Sequence, residues 1–185
     1  MNPYFTGKGD DGTSGLLGEG RVSKSDLRLE TVGTLDEASA ALGLSRSLMK
    51  STRLTAVLTQ IQRDLYLLMA EVSATPENEI RFQKLGEEQV HWLEEQIQRV
   101  GQGIKMPEEF IVPGDTLSSG AMSLARTIVR RAERRLVQLN DSGQFNNPQG
   151  LAYINRLSSL CFVLELHEIK AGRIGSPTLV KRTSI

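Results

Sequence analysis

Apolar residues recur at intervals of three and four positions in five stretches of the chain, a spacing typical of amphipathic helices. In the clearest stretch the apolar positions are Leu54, Val57, Leu58, Ile61, Leu65, Leu68, Met69 and Val72. Pro76 ends the pattern, because proline cannot continue a helix. The pattern therefore predicts a helix that begins near Leu54 and ends before Pro76.

Two further helices flank this one. Thr34, followed by Glu37 three residues later, forms a capping-box pattern, so the first helix is predicted to begin at Thr34 and to continue to Leu48. The next helix is predicted over residues 87–100, where a pair of glycines closes a weaker apolar pattern.

The remaining two helices lie in the C-terminal half. One is predicted from Leu117 to Leu139, and the other begins with Asn147 as N-cap and Pro148 as its first residue and ends near Gly172. Five helices, short connectors and no convincing alternating strand predict an all-α fold, an up-and-down five-helix bundle.

Glycine is concentrated at the N-terminus. Six of the 17 glycines lie within the first twenty residues, a density that favours turns over helix or strand. Residues 1–33 are therefore predicted to form an extended Gly-rich segment, residues 34–172 the helical bundle and residues 173–185 a loosely held tail, all within one domain.

The overall charge excludes some classes of partner. Lys and Arg number 22 and Asp and Glu number 22, so no global field attracts nucleic acid or an acidic membrane. No apolar stretch is long enough to span a membrane, and the N-terminus does not resemble a signal peptide. Cys161 lies in an apolar run and is expected to be buried. We expect a cytoplasmic protein.

A row of arginines marks the fourth helix. Arg126, Arg130, Glu133 and Arg134 are spaced to share one face, and the face expected to pack on the core contains Ala121, Leu124, Ile128, Ala132, Leu136 and Leu139. Like charges four residues apart destabilise a helix unless an anion or carboxylate offsets them, and guanidinium groups suit phosphate oxygens. The row indicates either an anion site or a solvated surface.

The Gly-rich segment offers a second candidate for phosphate binding. Its backbone N–H groups can approach a phosphate closely, with Lys8 and Lys24 as charges and Thr13 and Ser14 as hydroxyl donors. The segment is neither a Walker A motif nor a dinucleotide fingerprint. The two histidines have no paired-ligand spacing, so no transition-metal site held by protein side chains is predicted.

Several motifs in order along the chain resemble one family, the PduO-type ATP:cob(I)alamin adenosyltransferases. The motifs are Thr6-x-x-Gly9-Asp10-x-Gly12-Thr13, Gly20-Arg21-Val22-x-Lys24, Glu30-x-x-Gly33-Thr34-x-Asp36-Glu37, Phe110-Ile111-x-Pro113-Gly114, Ala125-Arg126-Thr127-x-x-Arg130-Arg131-Ala132-Glu133-Arg134 and Asn155-Arg156-Leu157-Ser158. Each motif alone is common, but the set is specific and covers nearly the whole chain.

The resemblance implies a homotrimeric five-helix bundle with active sites between subunits, in which the Co(I) of cob(I)alamin attacks the 5′ carbon of ATP and expels triphosphate. It assigns the triphosphate of ATP, bound with Mg²⁺ through the phosphates, to Thr6, Gly7, Lys8, Gly9, Thr13, Ser14 and Lys24. It assigns contacts with the nucleotide to Arg130, Arg131, Glu133, Arg134 and Asn155.

On the corrinoid side, the resemblance pairs Asp36 with Arg126 across the subunit interface and places Phe110 under the corrin ring. The implied partners are a cob(II)alamin reductase and an enzyme that uses adenosylcobalamin. The alternative is a trimeric bundle that carries nucleotide or corrinoid without efficient transfer. The sequence departs from the family pattern at Gly7, Asp115, Ser159 and Glu165-Leu166.

Overall fold

The first helix, α1 (Leu27–Leu48), begins seven residues before its predicted start. A computed structural model describes residues 3–172 and 175–181. In it Asp26 is the N-cap, and its carboxylate accepts a hydrogen bond from the Arg28 N–H at 2.8 Å. Thr34 is buried within the helix, where its hydroxyl donates to the Thr31 carbonyl at 2.9 Å. The predicted cap at Thr34, and with it the start of the bundle at residue 34, is wrong because buried threonines satisfy their hydroxyls on the helix backbone.

The other long helices confirm the predicted pattern. They are α2 (Thr52–Ser73), α4 (Glu87–Gly101), α5 (Leu117–Asp141) and α6 (Pro148–Ala171). Asn147 caps α6 as predicted, accepting hydrogen bonds from the Gln149 and Gly150 N–H groups. A 3₁₀ turn (Pro76–Asn78) and the four-residue helix α3 (Glu79–Phe82) lie between α2 and α4 and were not predicted.

The helices pack around one continuous core. Helix α1 packs against α2 and α5, and α6 packs against α5 and α4. The face of α5 that meets the core differs in part from the prediction: it contains Met122, Ala125, Val129, Ala132, Leu136 and Leu139. Of the predicted stripe, Ala121 and Leu124 lie outside the buried face, and Leu124 is 53% exposed, whereas Ile128 is partly buried against the core as predicted. Two apolar series with the same spacing occur there, and only the packing partners select one.

The N-terminal segment contains a hairpin where a loop was predicted. Strands β1 (Thr13–Gly15) and β2 (Arg21–Ser23) pair antiparallel, with Thr13 opposite Ser23. The turn of the hairpin is attached to the end of α2, because the Leu17 N–H donates to the Ser73 carbonyl at 2.8 Å. Gly18 has a φ of +152°, and a Cβ there would lie 1.9 Å from Thr75 Oγ1, so the attachment requires glycine.

The C-terminal tail is held by the connector between α4 and α5. The Val112 N–H donates to the Thr178 carbonyl at 2.7 Å, and the Val180 N–H donates to the Phe110 carbonyl at 2.8 Å. Asp115 accepts from both the N–H and the hydroxyl of Thr178, at 2.9 and 2.6 Å. The prediction of a loose tail is therefore wrong for residues 178–180, and residues 173, 174 and 182–185 of that prediction lie outside the described residues.

Within the described ranges, no helix has both the length and the apolar character needed to cross a membrane.

Candidate functional site

Arg21 fixes the shape of the Gly-rich segment. Its guanidinium donates to the Thr13 hydroxyl at 2.8 Å, to the Thr13 carbonyl at 3.1 Å and to the Lys8 carbonyl. Asp11 accepts from the Thr13 hydroxyl and N–H, and these hydrogen bonds, together with Arg21, lower the pKa of the Asp11 carboxyl. Residues 8–13 are thus held in place by a side chain that the sequence reasoning did not assign to the site, although it belongs to the Gly-Arg-Val-x-Lys motif.

Lys24 lies directly against the same turn. Its Nζ donates to the Gly9 carbonyl at 2.7 Å, and a Cβ at Gly9 would lie 3.0 Å from that Nζ. Gly7, with a φ of +70°, begins a turn in which its carbonyl accepts from the Asp10 N–H at 3.2 Å. The structure therefore gathers the predicted triphosphate residues, Thr6, Gly7, Lys8, Gly9, Thr13, Ser14 and Lys24, into one small and mostly exposed unit.

Glu133 and Asn155, two of the predicted nucleotide contacts, meet where α5 packs against α6. Glu133 accepts a hydrogen bond from the Asn155 amide at 2.7 Å, and the Asn155 carbonyl oxygen accepts from Arg156 at 2.9 Å. Arg156 also contacts Glu94 of α4 at 3.0 Å. Asn155, which the pattern alone left undecided, is thus the centre of a network that joins three helices and fixes the Glu133 carboxylate. Arg156 was present in the recognised motif but was not assigned a role.

The arginines of α5 divide between two faces. Arg131 pairs with Glu37 of α1, and Arg135 pairs with Glu30 of α1 at 3.5 Å. Arg134 donates to the Arg130 carbonyl at 2.9 Å, on the face next to α6. The Arg130 guanidinium is exposed and has no hydrogen-bond or ion-pair partner in the described part of the chain. Arg131 was grouped with the nucleotide contacts, but here it is held against α1.

A cleft of about 400 Å³ lies beside this face, between α5, α6 and the connector that contains Phe110. The Phe110 side chain is 85% exposed. The Arg126 guanidinium stacks on the Phe162 ring, 5.4 Å from its centroid. Asp36 is exposed on α1, and its predicted pair with Arg126 would join two subunits. Phe110 and Arg126 line this one cleft, and their roles toward a corrinoid stay predictions.

Glu165 is a buried carboxyl group in this cleft that the sequence reasoning noted only as a departure from the family pattern. It is 1% exposed, and its Oε1 has no hydrogen-bond partner among the residues described. Burial raises the pKa of Glu165, and the nearby Asp115 adds to this, while Ser123 and Arg126 oppose it. A single charge inside the apolar run of α6 was the signal available in the sequence. Burial also raises the pKa of the Cys161 thiol to about 12, which excludes it as a nucleophile at neutral pH.

The two groups of predicted residues do not meet within one chain. No hydrogen bond or ion pair between described residues joins residues 6–24 to Arg130, Glu133, Arg134 or Asn155. Within the same ranges, no group of three or more His, Cys, Asp or Glu side chains could hold a metal ion. One chain therefore presents a loop rich in backbone donors and, separately, a helical face rich in guanidinium groups.

Comparisons by sequence and by structure both find this chain similar to corrinoid adenosyltransferases. The family model for cobalamin adenosyltransferase matches residues 4–168. A corrinoid adenosyltransferase of Citrobacter freundii is 35% identical over 163 residues, covering 88% of this chain and 92% of the relative. A corrinoid adenosyltransferase of Bacillus subtilis is 36% identical over 162 residues, covering 85% and 82%.

Solved structures extend the similarity to the fold. A variant PduO-type ATP:corrinoid adenosyltransferase from Lactobacillus reuteri, complexed with cobalamin and ATP, has a TM-score of 0.87 at 32% identity, covering 98% of each chain. A second variant from that organism, complexed with ATP, has a TM-score of 0.85 at 31% identity, covering 96% and 99%.

Proposed function

Because the chain belongs to the cobalamin adenosyltransferase family, we propose that it transfers the 5′-deoxyadenosyl group of ATP to the cobalt of cob(I)alamin. The products are adenosylcobalamin and triphosphate. The observation in this structure that carries the proposal is Arg130, an exposed guanidinium without a partner in the described ranges, beside the fixed Glu133–Asn155 pair. A positive group held open on a rigid helix is suited to an anionic ligand.

The proposed reaction requires little acid–base catalysis from the protein. The Co(I) electron pair attacks C5′, the Co–C bond forms, and the C5′–O bond breaks with its electrons leaving on triphosphate. Co(I) is itself the nucleophile, so no general base is needed, and the absence of an assigned catalytic histidine is no obstacle. The protein must align cobalt with C5′ and stabilise the charge on the leaving triphosphate, which Arg130 and Lys24 can do.

Mg²⁺ would enter with ATP. Magnesium prefers oxygen ligands and retains several waters, and the described residues hold no carboxylate cluster that could bind it independently. The phosphate oxygens of ATP would therefore hold the ion in the site, and the ion would neutralise part of the triphosphate charge. The backbone donors of the loop held by Arg21 and Lys24 would orient the phosphates.

We further propose a homotrimer whose sites combine the loop of one subunit with the α5–α6 face of its neighbour. The separation of the two groups in one chain supports this arrangement, and it would also allow Asp36 to reach Arg126 of another subunit. A reductase that supplies Co(I) is a necessary partner, because attack on ATP requires that oxidation state. An enzyme that uses adenosylcobalamin would take the product.

The direct test mixes protein, MgATP and chemically reduced cobalamin without oxygen and follows the adenosylcobalamin spectrum and free triphosphate. Arg130→Ala is expected to lower kcat at least a hundredfold, since one lost charge stabiliser costs roughly that factor. Arg135→Ala is the matched control, because Arg135 lies on the same helix but pairs with Glu30, and it should keep near wild-type turnover.

The outcomes separate the enzyme from the carrier alternative. Wild-type protein that binds ATP and cobalamin but forms no product would refute transfer and support a carrier. Full turnover in Arg130→Ala, with the fold intact by circular dichroism, would remove the role assigned to this arginine while leaving the activity in place.

A further inference from the structure

The buried carboxyl group of Glu165 takes no part in the chemistry proposed above. It projects from α6 into the cleft lined by Phe110, Arg126 and Phe162. Its Oε1 lacks a hydrogen-bond partner within residues 3–172 and 175–181, although the residue is 1% exposed. An unpaired buried polar atom is costly, and most buried polar atoms in folded proteins have a partner. A group retained at such a cost is a candidate for contact with a ligand.

The neighbouring polar groups leave this oxygen unpaired. The Arg126 guanidinium lines the same cleft but stacks on the Phe162 ring, and no ion pair between Arg126 and Glu165 is present in the described structure. Ser123 and Arg126 are close enough to favour the charged form of the carboxyl group, yet Oε1 remains without a donor. A donor from outside these residues can therefore complete the hydrogen bonding of Oε1.

The walls of the cleft indicate the kind of donor. The lining combines the apolar side chains of Phe110, Ile111, Pro113 and Phe162 with the polar ones of Glu108, Glu109, Ser123 and Arg126. The cleft volume of about 400 Å³ fits the rim of a large molecule better than the whole of it. A corrin macrocycle is apolar across its ring and carries acetamide and propionamide side chains around its rim. Its amide N–H groups are neutral donors that a carboxyl oxygen accepts well.

We propose that Glu165 Oε1 accepts a hydrogen bond from a peripheral amide of the corrinoid and so helps to select amidated corrinoids. The proposal rests on the function given above and adds a specificity-determining contact to it. The contact belongs to the corrinoid half of the reaction, because Glu165 lies in the Phe110 cleft and not on the Arg130 face.

The first experiment compares wild type with Glu165→Ala and Glu165→Gln in the anaerobic assay. Glu165→Ala is expected to raise the KM for cob(I)alamin about tenfold and to leave the KM for ATP unchanged, because one hydrogen bond is lost. Glu165→Gln keeps an acceptor oxygen and should recover most of the affinity. Glu168→Ala is the matched control, since Glu168 is also buried on α6 but contacts His167 outside the cleft.

The second experiment identifies the amide. Cobalamin monocarboxylic acids, in each of which one propionamide is hydrolysed, are assayed with wild type and with Glu165→Ala. The isomer altered at the contacted amide should be disfavoured about tenfold or more by wild type, because two carboxyl groups would then meet, and Glu165→Ala should lose this discrimination.

Thermal unfolding separates a ligand contact from a structural role. Removing an unpaired buried carboxyl group should leave the Tm of the free protein unchanged or raised. A lowered Tm with an unchanged KM for cob(I)alamin would show a structural role and overturn the proposal. If wild type makes no adenosylcobalamin, the proposed function fails. The affinity for cob(II)alamin then tests the Glu165 contact separately, and equal affinity in wild type and Glu165→Ala would overturn it.

Discussion

At the scale of single residues, hydrogen bonds from neighbouring groups offset the cost of burying a carboxyl group to different extents. Asp64 accepts hydrogen bonds from the Tyr153 hydroxyl at 2.8 Å and from the Gln60 amide at 2.9 Å. Glu71 is 4% exposed and accepts from the Asn147 amide at 3.1 Å. Burial raises the pKa of Glu71 to about 7, the Asn147 hydrogen bond opposes this, and the nearby Glu79 adds to it. Glu71 therefore changes charge near neutral pH.

We predict that Glu71 makes the stability of the protein depend on pH. Its folded-state pKa of about 7 lies above the ordinary value of 4.5, so the folded protein holds the proton more tightly than the unfolded chain. The associated stability is present in full below pH 4.5 and is lost as the pH rises through 7, by roughly 3 kcal/mol at most. Glu71→Gln keeps an acceptor for Asn147 and should remove this loss.

Urea unfolding at pH 5 and pH 8, at equal protein concentration, measures the effect. The difference in unfolding free energy between Glu71→Gln and wild type should grow with pH. Glu88→Gln, at an exposed position, is the control and should show little change in its difference from wild type. A constant difference for Glu71→Gln at both pH values would contradict the raised pKa.

At the scale of secondary-structure elements, both ends of the chain attach to the bundle through backbone pairing. The N-terminal hairpin attaches at Leu17 to the end of α2. The C-terminal tail pairs with the connector at Phe110 and Val112, and Asp115 holds it through Thr178. The position of Phe110 therefore depends on a segment about seventy residues further along the sequence.

Thr178→Val is predicted to weaken binding of the corrinoid but not of ATP. Valine has nearly the shape of threonine but cannot donate to Asp115, so the tail and the Phe110 connector lose one hydrogen bond to a charged acceptor, worth about 1.5–3 kcal/mol. Because the connector carries Phe110 and none of the predicted ATP residues, the expected result is a several-fold rise in KM for cob(I)alamin with an unchanged KM for ATP.

Thr55→Val is the control for this change, because the Thr55 hydroxyl donates only within α2, to the Thr52 carbonyl at 2.8 Å. Steady-state assays that vary one substrate at a time give both constants. Equal KM values for cob(I)alamin in wild type and Thr178→Val would show that the tail does not position Phe110.

At the scale of the whole molecule, the two groups of predicted site residues lie apart from each other within one chain. The loop around Lys24 lies at the hairpin end, whereas Arg130 and Asn155 lie along the middle of α5 and α6. Described contacts join neither group to the other. If subunits combine these groups across an interface, defects in different groups can be complemented in a mixed oligomer.

We predict that Lys24→Ala and Arg130→Ala, each nearly inactive alone, regain about a quarter of wild-type activity when co-expressed in equal amounts. In a randomly mixed ring, about one site in four receives an intact loop and an intact arginine from two different chains. Sites built within one chain would regain nothing. The control co-expresses wild type with the double variant, and light scattering checks that the oligomer is a trimer.

Much of the fold was predictable because its signals are local. Helical spacing and the Pro76 and Asn147 boundaries gave four of the five long helices nearly to the residue. The predicted start of α1 was wrong because Thr34 with Glu37 matches a capping box, yet the Thr34 hydroxyl is buried on a helix carbonyl. The core face of α5 was partly wrong because two apolar series have the same period.

The candidate site was predictable as a set of residues but not as an arrangement. The motif comparison named Lys24, Arg130 and Asn155, and their roles remain predictions. It did not reveal the hydrogen bonds of Arg21 to the loop, which depend on the pairing of β1 with β2. Nor did it reveal that Arg131 faces α1, because the Arg131–Glu37 contact joins residues far apart in sequence. In the sequence, Glu165 was apparent only as a charge in an apolar run. Whether its Oε1 has a partner depends on the orientation of the Arg126 side chain.

The sequence alone thus determined the helical class, the helix ends that carry capping residues, the buried Cys161 and the family, because these depend on spacing and on side-chain chemistry along the chain. Only the tertiary structure decided which face of α5 meets the core, where the hairpin and residues 178–180 attach, which arginines are already paired and which buried carboxyl oxygen lacks a partner among the described residues. Each of these depends on packing between distant segments, and the free energy of a buried charge is set by neighbours that sequence order does not bring together.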